Sequence, residues 1–416
     1  MSREMKNSGV EWIGEIPEKW NVCKIDSLYF PRSTKVSDKD YPPLSVTMKG
    51  IVPQLASTAK TDDHDNRKLV KKGDFAINSR SDRRGSCGIS EYDGSVSLIN
   101  TVLQPRHGMN NEYYNWLFHS DMFSSEFYRL GHGIVDDLRT TSWQEMKKMV
   151  IPAPSPTVQQ QIVHFLDRKC TAIDTAIEKT KKSIEKLEEY KKAVITKAVT
   201  KGIDPNAKMK DSGVEWIGEI PEGWDIRRGK FIFKKLSRSV KDLDEVITCF
   251  RDGEVTLRKN RREEGFTFSD KEIGYQGIEP GDLVVHGMDG FAGSIGISDS
   301  RGKATPVLNV LSSSENKEYY MYYLRSMAYG DVFTAIATGI RVRSCNLNWN
   351  KLAELSYPVP DKDTQKQIVN YIGNIIEVTN DLIKKKQAII NKWEEYKKSL
   401  IYYAVTGKID CRNEVI

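Results

Sequence analysis

The sequence predicts an α+β protein made by internal duplication. Two strand-rich domains alternate with two long helices that pair antiparallel as a coiled coil, in a pseudo-two-fold cyclic arrangement. Three observations predict it. First, KNSGVEWIGEIPEKW (Lys6–Trp20) recurs as KDSGVEWIGEIPEGW (Lys210–Trp224), with 13 of 15 positions identical at an offset of 204. Second, PAPSPTVQQQIV from Pro152 answers PVPDKDTQKQIV from Pro358 at an offset of 206, and EEYKK, AVT and Ile-Asp follow in both copies. Third, each of these later segments carries a heptad-spaced apolar stripe with Lys and Glu elsewhere, as a paired helix requires.

In chain order, the expected parts are the shared motif (1–20), a variable region (21–151), a long helix (152–203), and the junction with the repeated motif (204–224). A second variable region (225–357), a second long helix (358–410) and a short tail (411–416) complete the chain. The variable regions have short β-branched and aromatic runs broken by glycine, such as GDFAINSR from Gly73 and GDLVVHGM from Gly281. Gly-Asp before an apolar run suits a tight turn entering a strand. In the first helix, Leu166, Ile173 and Leu187 mark one seam and Ile177 and Ile184 the other. In the second, Ile372 and Trp393 answer Ile376, Ile383 and Ile390. Thr157 with Gln160 suggests a capping box, and Asp363 an N-cap, for the two starts. About 40 residues at 1.5 Å rise give a rod on the order of 60 Å. The junction contains both chain ends in sequence, so the N- and C-terminal segments are expected to meet as the junction does.

Composition narrows the class without naming a partner. The chain has 416 residues, 39% hydrophobic, and a net charge of +6 from 63 basic and 57 acidic residues. No segment approaches the roughly 20 apolar residues of a membrane span, and the first twenty residues lack a secretory apolar core, so a cytoplasmic protein with no membrane association is expected. The six cysteines lie far apart, against a zinc knuckle or a disulfide framework.

No catalytic constellation emerges. The Gly-Lys pairs at Gly229, Gly302 and Gly407 lack the following Ser or Thr of a phosphate loop, and no dinucleotide or adenine-methyltransferase motif is present. The scattered histidines give no metal spacing, so neither a catalytic nor a metal site is expected. What remains is a set of local basic clusters: Arg80, Arg83 and Arg84; Arg251, Arg258, Lys259, Arg261 and Arg262; and Arg341 and Arg343. The planar arginine fork suits guanine edges and phosphates, which makes these the candidate DNA contacts. The regional balance is nearly even, 18 basic to 16 acidic residues over 21–151 and 20 to 18 over 225–357, so any attraction is local. Trp12 and Trp216, with Ile13 and Ile217, serve either to anchor the domain on the helix base or to dock a partner.

The duplicated SGVEWIGEIPE-x-W segments, each followed by a variable domain, a Pro-x-Pro, a Gln-x-x-Ile-Val helix entry and a long Lys/Glu helix, resemble the specificity subunit of type I restriction-modification systems over essentially the whole chain. The resemblance implies a non-catalytic subunit whose two target recognition domains, 21–151 and 225–357, each read half of a bipartite double-stranded DNA target, while the helices set the unread spacer. It also implies two modification subunits and two restriction subunits as partners. Those partners, not this chain, would carry S-adenosylmethionine, ATP and magnesium. The alternative is a coiled-coil adaptor whose paired domains bind proteins.

Overall fold

A computed structural model describes residues 4–54, 64–133, 139–261, 272–336 and 347–411. The chain divides into two units: residues 1–181 with 387–416, and residues 182–386. Each unit therefore contains one variable domain, the start of the long helix that follows it in sequence, and the end of the other long helix.

In the first unit, Met5–Asn7 and Glu15–Pro17 form a hairpin within the shared motif, and Asn21–Lys24 pairs with Val150–Ala153 to close the variable domain. Between them lies an antiparallel four-stranded sheet in the order Cys87–Ile89, Phe75–Asn78, Asn100–Pro105, Tyr29–Pro31. A smaller sheet orders Gly94–Ser97, Arg67–Val70 and Lys35–Val36, next to the hairpin Leu44–Thr47/Gly50–Pro53. The second unit repeats the large sheet in the same order: Ile295–Ile297, Leu283–His286, Leu308–Ser313, Phe233–Lys235.

The expected Gly-Asp turns are present. Gly73 and Gly281 adopt φ of +87° and +83°, values costly for any residue with a Cβ. The aspartate after each is buried and takes a two-pronged ion pair, Asp74 from Arg32 and Asp282 from Arg238. The same carboxylates accept the backbone N–H of Lys71 and Glu279, so turn and sheet edge are tied together.

The core of each unit is aromatic. Tyr29, Phe75, Phe118 and Phe123 pack in the first, with Phe75 and Phe118 ring centroids 4.9 Å apart. Phe233, Tyr319, Tyr320 and Tyr357 do the same in the second. Asn110 and Asn316 cap the helices that carry Phe118 in the first core and Tyr319 and Tyr320 in the second, by accepting N–H groups of the first turn.

The long helices run Pro156–Lys201 and Lys362–Val405. Their starts correct two expectations. Thr157 already lies inside the first helix, behind Pro156, where a missing N–H costs nothing. The second helix is capped by Asp361, which accepts the N–H and hydroxyl of Thr364, and not by Asp363. Gln159 and Gln365 play matched parts, each donating its side-chain amide to the carbonyl of Pro154 and Pro360.

The helix segments pair antiparallel within each unit. In the first, Val158 and Ile162 border the same small cavity as Ile409 and Cys411, while Lys397 Nζ lies 2.7 Å from both carboxylate oxygens of Asp174. In the second, Ile195 and Val199 share a core with Ile368 and Ile372, and Lys191 donates to Asn380 Oδ1 at 3.1 Å. Asp174–Lys397 and Asn380–Lys191 are one contact seen twice, which explains why a lysine stands on each seam.

Of the expected seam residues, Leu166, Ile173, Ile177, Ile372 and Ile390 are buried, and Ile184, Leu187, Ile376 and Ile383 half-buried. Trp393 departs from the expectation: it is 37% exposed and stacks edge-on with Tyr396 on the surface. The seam itself continues, since Leu400, one heptad further on, is buried again; the large indole borders Ala172 and Ile173 of the other helix and is only partly covered there.

The two ends of the chain meet as expected. In the second unit, Gly202 (φ +75°) follows the first helix and packs on Pro221 and Trp224, while Tyr319 donates its hydroxyl to the Val199 carbonyl at 2.9 Å. In the first unit, Gly407 (φ +74°) follows the second helix and packs on Pro17 and Trp20, and Tyr113 donates to Val405 at 2.7 Å. Lys408 Nζ adds a bond to the carbonyl of Ile13.

Candidate nucleic-acid interface

The exposed features of the two variable domains are built on one backbone plan. In the first domain, the loop from Ser79 to Ser86 leaves strand Phe75–Asn78, makes a single 3-10 turn at Ser81–Arg83 and returns as Cys87–Ile89. In the second, Gly287 to Ser294 leaves Leu283–His286, turns at Gly290–Ala292 and returns as Ile295–Ile297.

Four hydrogen bonds match position by position. Asn78 N–H donates to Ser86 O, as His286 does to Ser294 O; Ser79 donates to Ile99, as Gly287 does to Val307. Thr141 donates to Ser79, as Leu347 does to Gly287. The side chains of Asn78 and His286 accept the N–H of Arg80 and Met288 respectively, which aligns those two residues.

On the first loop, Arg80, Arg83 and Arg84 come together at the surface. Arg80 Nε lies 3.1 Å and Arg83 Nε 3.9 Å from Asp82, and the Arg84 guanidinium stands 5.6 Å over the Tyr128 ring. The fold adds a residue that sequence spacing could not find. Ser81 N–H donates to the carbonyl of Arg139, and Thr140 bridges both Arg80 and His132, so Arg139 joins the same region from more than fifty residues away. Its only sequence signal is a lone arginine six residues after Gly131-His132-Gly133.

The second domain spreads its basic residues differently. Arg251 stands at a hairpin tip and pairs with Asp289 of the loop at 3.1 Å. Lys259 pairs with Glu245 at 2.6 Å, and Arg261 is held by Asp252 and Glu254 while its guanidinium lies 4.3 Å from the Phe250 ring centroid. Arg258 is half-buried with Nε 3.3 Å from Thr248 Oγ1. Arg262, Arg341 and Arg343 lie outside the described residues.

His286 accepts the N–H groups of Met288 and Asp289 through Nδ1, and burial pushes its pKa below the usual histidine value, so it is a neutral loop fastener. Burial likewise raises the thiols of Cys170 to about 11 and Cys249 to about 12, which makes them poor nucleophiles. Among the described residues no group of three His, Cys, Asp or Glu side chains could hold a metal ion, and no helix is long and apolar enough to cross a membrane.

The tryptophans separate into two kinds, and this corrects the docking expectation. Trp12 packs edge-on against Phe123 at 6.1 Å, and Ile13 and Ile217 are buried; all three are spent on the domain's own core and are closed to direct contact. Trp20 and Trp224 are buried against the glycines that end the opposite helices. Trp216 alone of the four docking candidates is exposed, at 40%.

No protein-family model matches the chain. A protein of Methanocaldococcus jannaschii, provisionally named the type I restriction enzyme MjaX specificity subunit, is 23% identical over 438 aligned residues covering 95% of each chain. Among solved structures, a chain from a study of complex assembly and conformational transition of the type I R-M system aligns with a TM-score of 0.69 at 13% identity, covering 95% of this chain and 99% of that one. Over nearly its whole length the chain is similar to type I specificity subunits. The HsdS subunit from Thermoanaerobacter tengcongensis shares the fold of the family, with a TM-score of 0.53, 14% identity and coverage of 95% and 98%. The MjaVIII specificity subunit of M. jannaschii is 25% identical over 282 residues, 63% of each chain. At such identity the domain plan is shared while the reading surface is this chain's own.

Proposed function

We propose that this specificity subunit recognises double-stranded DNA through its two variable domains, each reading one half of a bipartite target, with the paired long helices setting the spacer. The observation that carries this reading is the repeated loop: one backbone plan, held by the same four hydrogen bonds in both domains, displays different exposed side chains in each. A scaffold kept constant under a changed surface suits two readers of two sequences, and the exposed arginines supply donors for phosphates and base edges. An adaptor binding proteins would need apolar patches at these loops, and the first domain presents guanidinium groups there instead.

The chain itself supplies recognition and assembly, without catalysis. Two modification subunits would bring S-adenosylmethionine and methylate adenine, and two restriction subunits would bring ATP and magnesium, all within the cytoplasm. Exposed Trp216 and the Trp393–Tyr396 surface are the contacts offered to them. Reading both half-sites at once gains affinity through effective concentration only when the target spacer matches the helices.

Two constructions test this with the cognate modification subunit and genome-wide mapping of methylated adenine. Replacing residues 21–151 by another such domain is expected to alter one half-site and leave the other. Inserting one helical turn, about 5.4 Å, between Lys179 and Lys186 and at the matching place in the second helix is expected to lengthen the spacer by about one to two base pairs with both half-sites kept. Altered half-sites with an unchanged spacer would refute the ruler role.

A further inference from the structure

The two reading surfaces exchange an arginine and a methionine between the same two places. One place is the first loop position, occupied by Arg80 in the first domain and Met288 in the second, aligned by their shared bond to the side chain two residues back. The other is the tip of the neighbouring hairpin, occupied by Met48 and Arg251. That alignment rests on Ser95 and Lys303 donating to Pro42 and Glu245 at the hairpin bases, and on Gly50 and Gly253 sitting directly against Gly88 and Gly296. Tip and loop are neighbours, as the 3.1 Å contact from Arg251 to Asp289 requires.

Both methionines project into solvent, Met48 at 71% and Met288 at 52% exposure, where a long apolar side chain gains nothing for the fold. Both arginines are buttressed by a carboxylate of the loop, Arg80 by Asp82 and Arg251 by Asp289. The buttressing carboxylates sit at different loop positions, because Asp82 aligns with Gly290 and Asp289 with Ser81. The support therefore moved with the arginine. A guanidinium already neutralised by a carboxylate adds little to phosphate attraction, but its remaining N–H groups are held in a set direction.

Resting on the recognition function proposed above, we infer that Arg80 with Met48, and Arg251 with Met288, are specificity-determining pairs: in each domain one fork reads guanine O6 and N7 while one thioether packs on a thymine methyl, in opposite places on the two surfaces.

The test uses the complex with its modification subunit, genome-wide methylated-adenine mapping, and binding to specific and unrelated duplexes. Arg80→Met is expected to relax one base pair of one half-site, with preference there falling roughly 10–100-fold, and Arg251→Met to relax one base pair of the other. Arg80→Lys and Arg251→Lys, which keep the charge and lose the fork, are expected to relax the same base pairs while binding to unrelated duplex is retained; these carry the test if a methionine variant fails to fold. The exchange Met48→Arg with Arg80→Met is expected to change one half-site only. An unchanged motif in the arginine variants, or an equal loss of affinity for specific and unrelated DNA, would overturn the inference. If the wild-type complex yields no bipartite motif at all, it is the recognition function that fails.

Discussion

Each long helix ends under a buried tyrosine of the variable region in the other copy, Tyr113 over Val405 and Tyr319 over Val199, and removing that hydroxyl is the most direct probe of how the chain closes. Tyr113→Phe keeps the ring, its 4.9 Å edge-on contact with Tyr114 and the volume of the core, but deletes the 2.7 Å bond to the carbonyl of Val405. Losing one partner of a buried hydrogen bond costs about 1–3 kcal/mol, because the acceptor keeps its desolvation penalty. The first unit has about 200 residues, a size at which about 1 kcal/mol moves the melting midpoint by roughly 2–4 °C, so a drop of roughly 2–12 °C is expected. Tyr319→Phe, which loses the 2.9 Å bond to Val199, should behave alike in the second unit. Calorimetry and urea unfolding of the full chain measure both, with exposed Tyr371→Phe as control. If the two buried variants melt no lower than that control, the hydroxyls do not hold the helix ends and the closure argument fails.

Three further outcomes follow from the same packing. Gly407→Ala should destabilise more than Gly202→Ala: both positions have positive φ, but a Cβ at Gly407 would fall 2.6 Å from Pro17 Cδ and 2.8 Å from Trp20, against 3.4 Å and more at Gly202; paired urea titrations give the order. Leu166→Ala, in the fully buried seam, should cost about 2–5 kcal/mol, whereas Trp393→Ala on the surface should cost less than about 1 kcal/mol and act on partner binding, read by co-purification of the modification subunit. His119 is set below the usual histidine pKa chiefly by burial, its Nδ1–H donating to Asn115 O. The unfolded chain therefore takes up that proton first: stability is full above about pH 6.5 and declines as pH falls through the window down to the lower folded value. His119→Gln should flatten that part of a pH–stability curve, and an unchanged slope would exclude His119 as its source.

Much of this protein follows from repetition in the sequence. The two copies of SGVEWIGEIPE, the two heptad stripes and the junction that contains both chain ends determined the duplication, the pairing of the helices and the meeting of the termini, because each is a local pattern or an identity between distant segments. The same reasoning placed Trp393 beside the other helix but did not show how little covers it: the indole borders Ala172 and Ile173 and stays 37% exposed, while Leu400, one heptad on, is buried. It also left Trp12, Ile13 and Ile217 open between anchoring the domain and docking a partner, and the domain's own core absorbs them. Arginine clusters were legible as composition, but which arginines share a surface was not. Arg139 reaches the Arg80 loop through a backbone bond across more than fifty residues, and Met48 and Arg251 acquire their common place only when Gly50 and Gly253 press against strands of the large sheet. Sequence by itself determined the architecture, whose signals are periodic or repeated. Only tertiary structure decided the reading surface, because side chains far apart in the chain become neighbours through sheet pairing that no local pattern encodes.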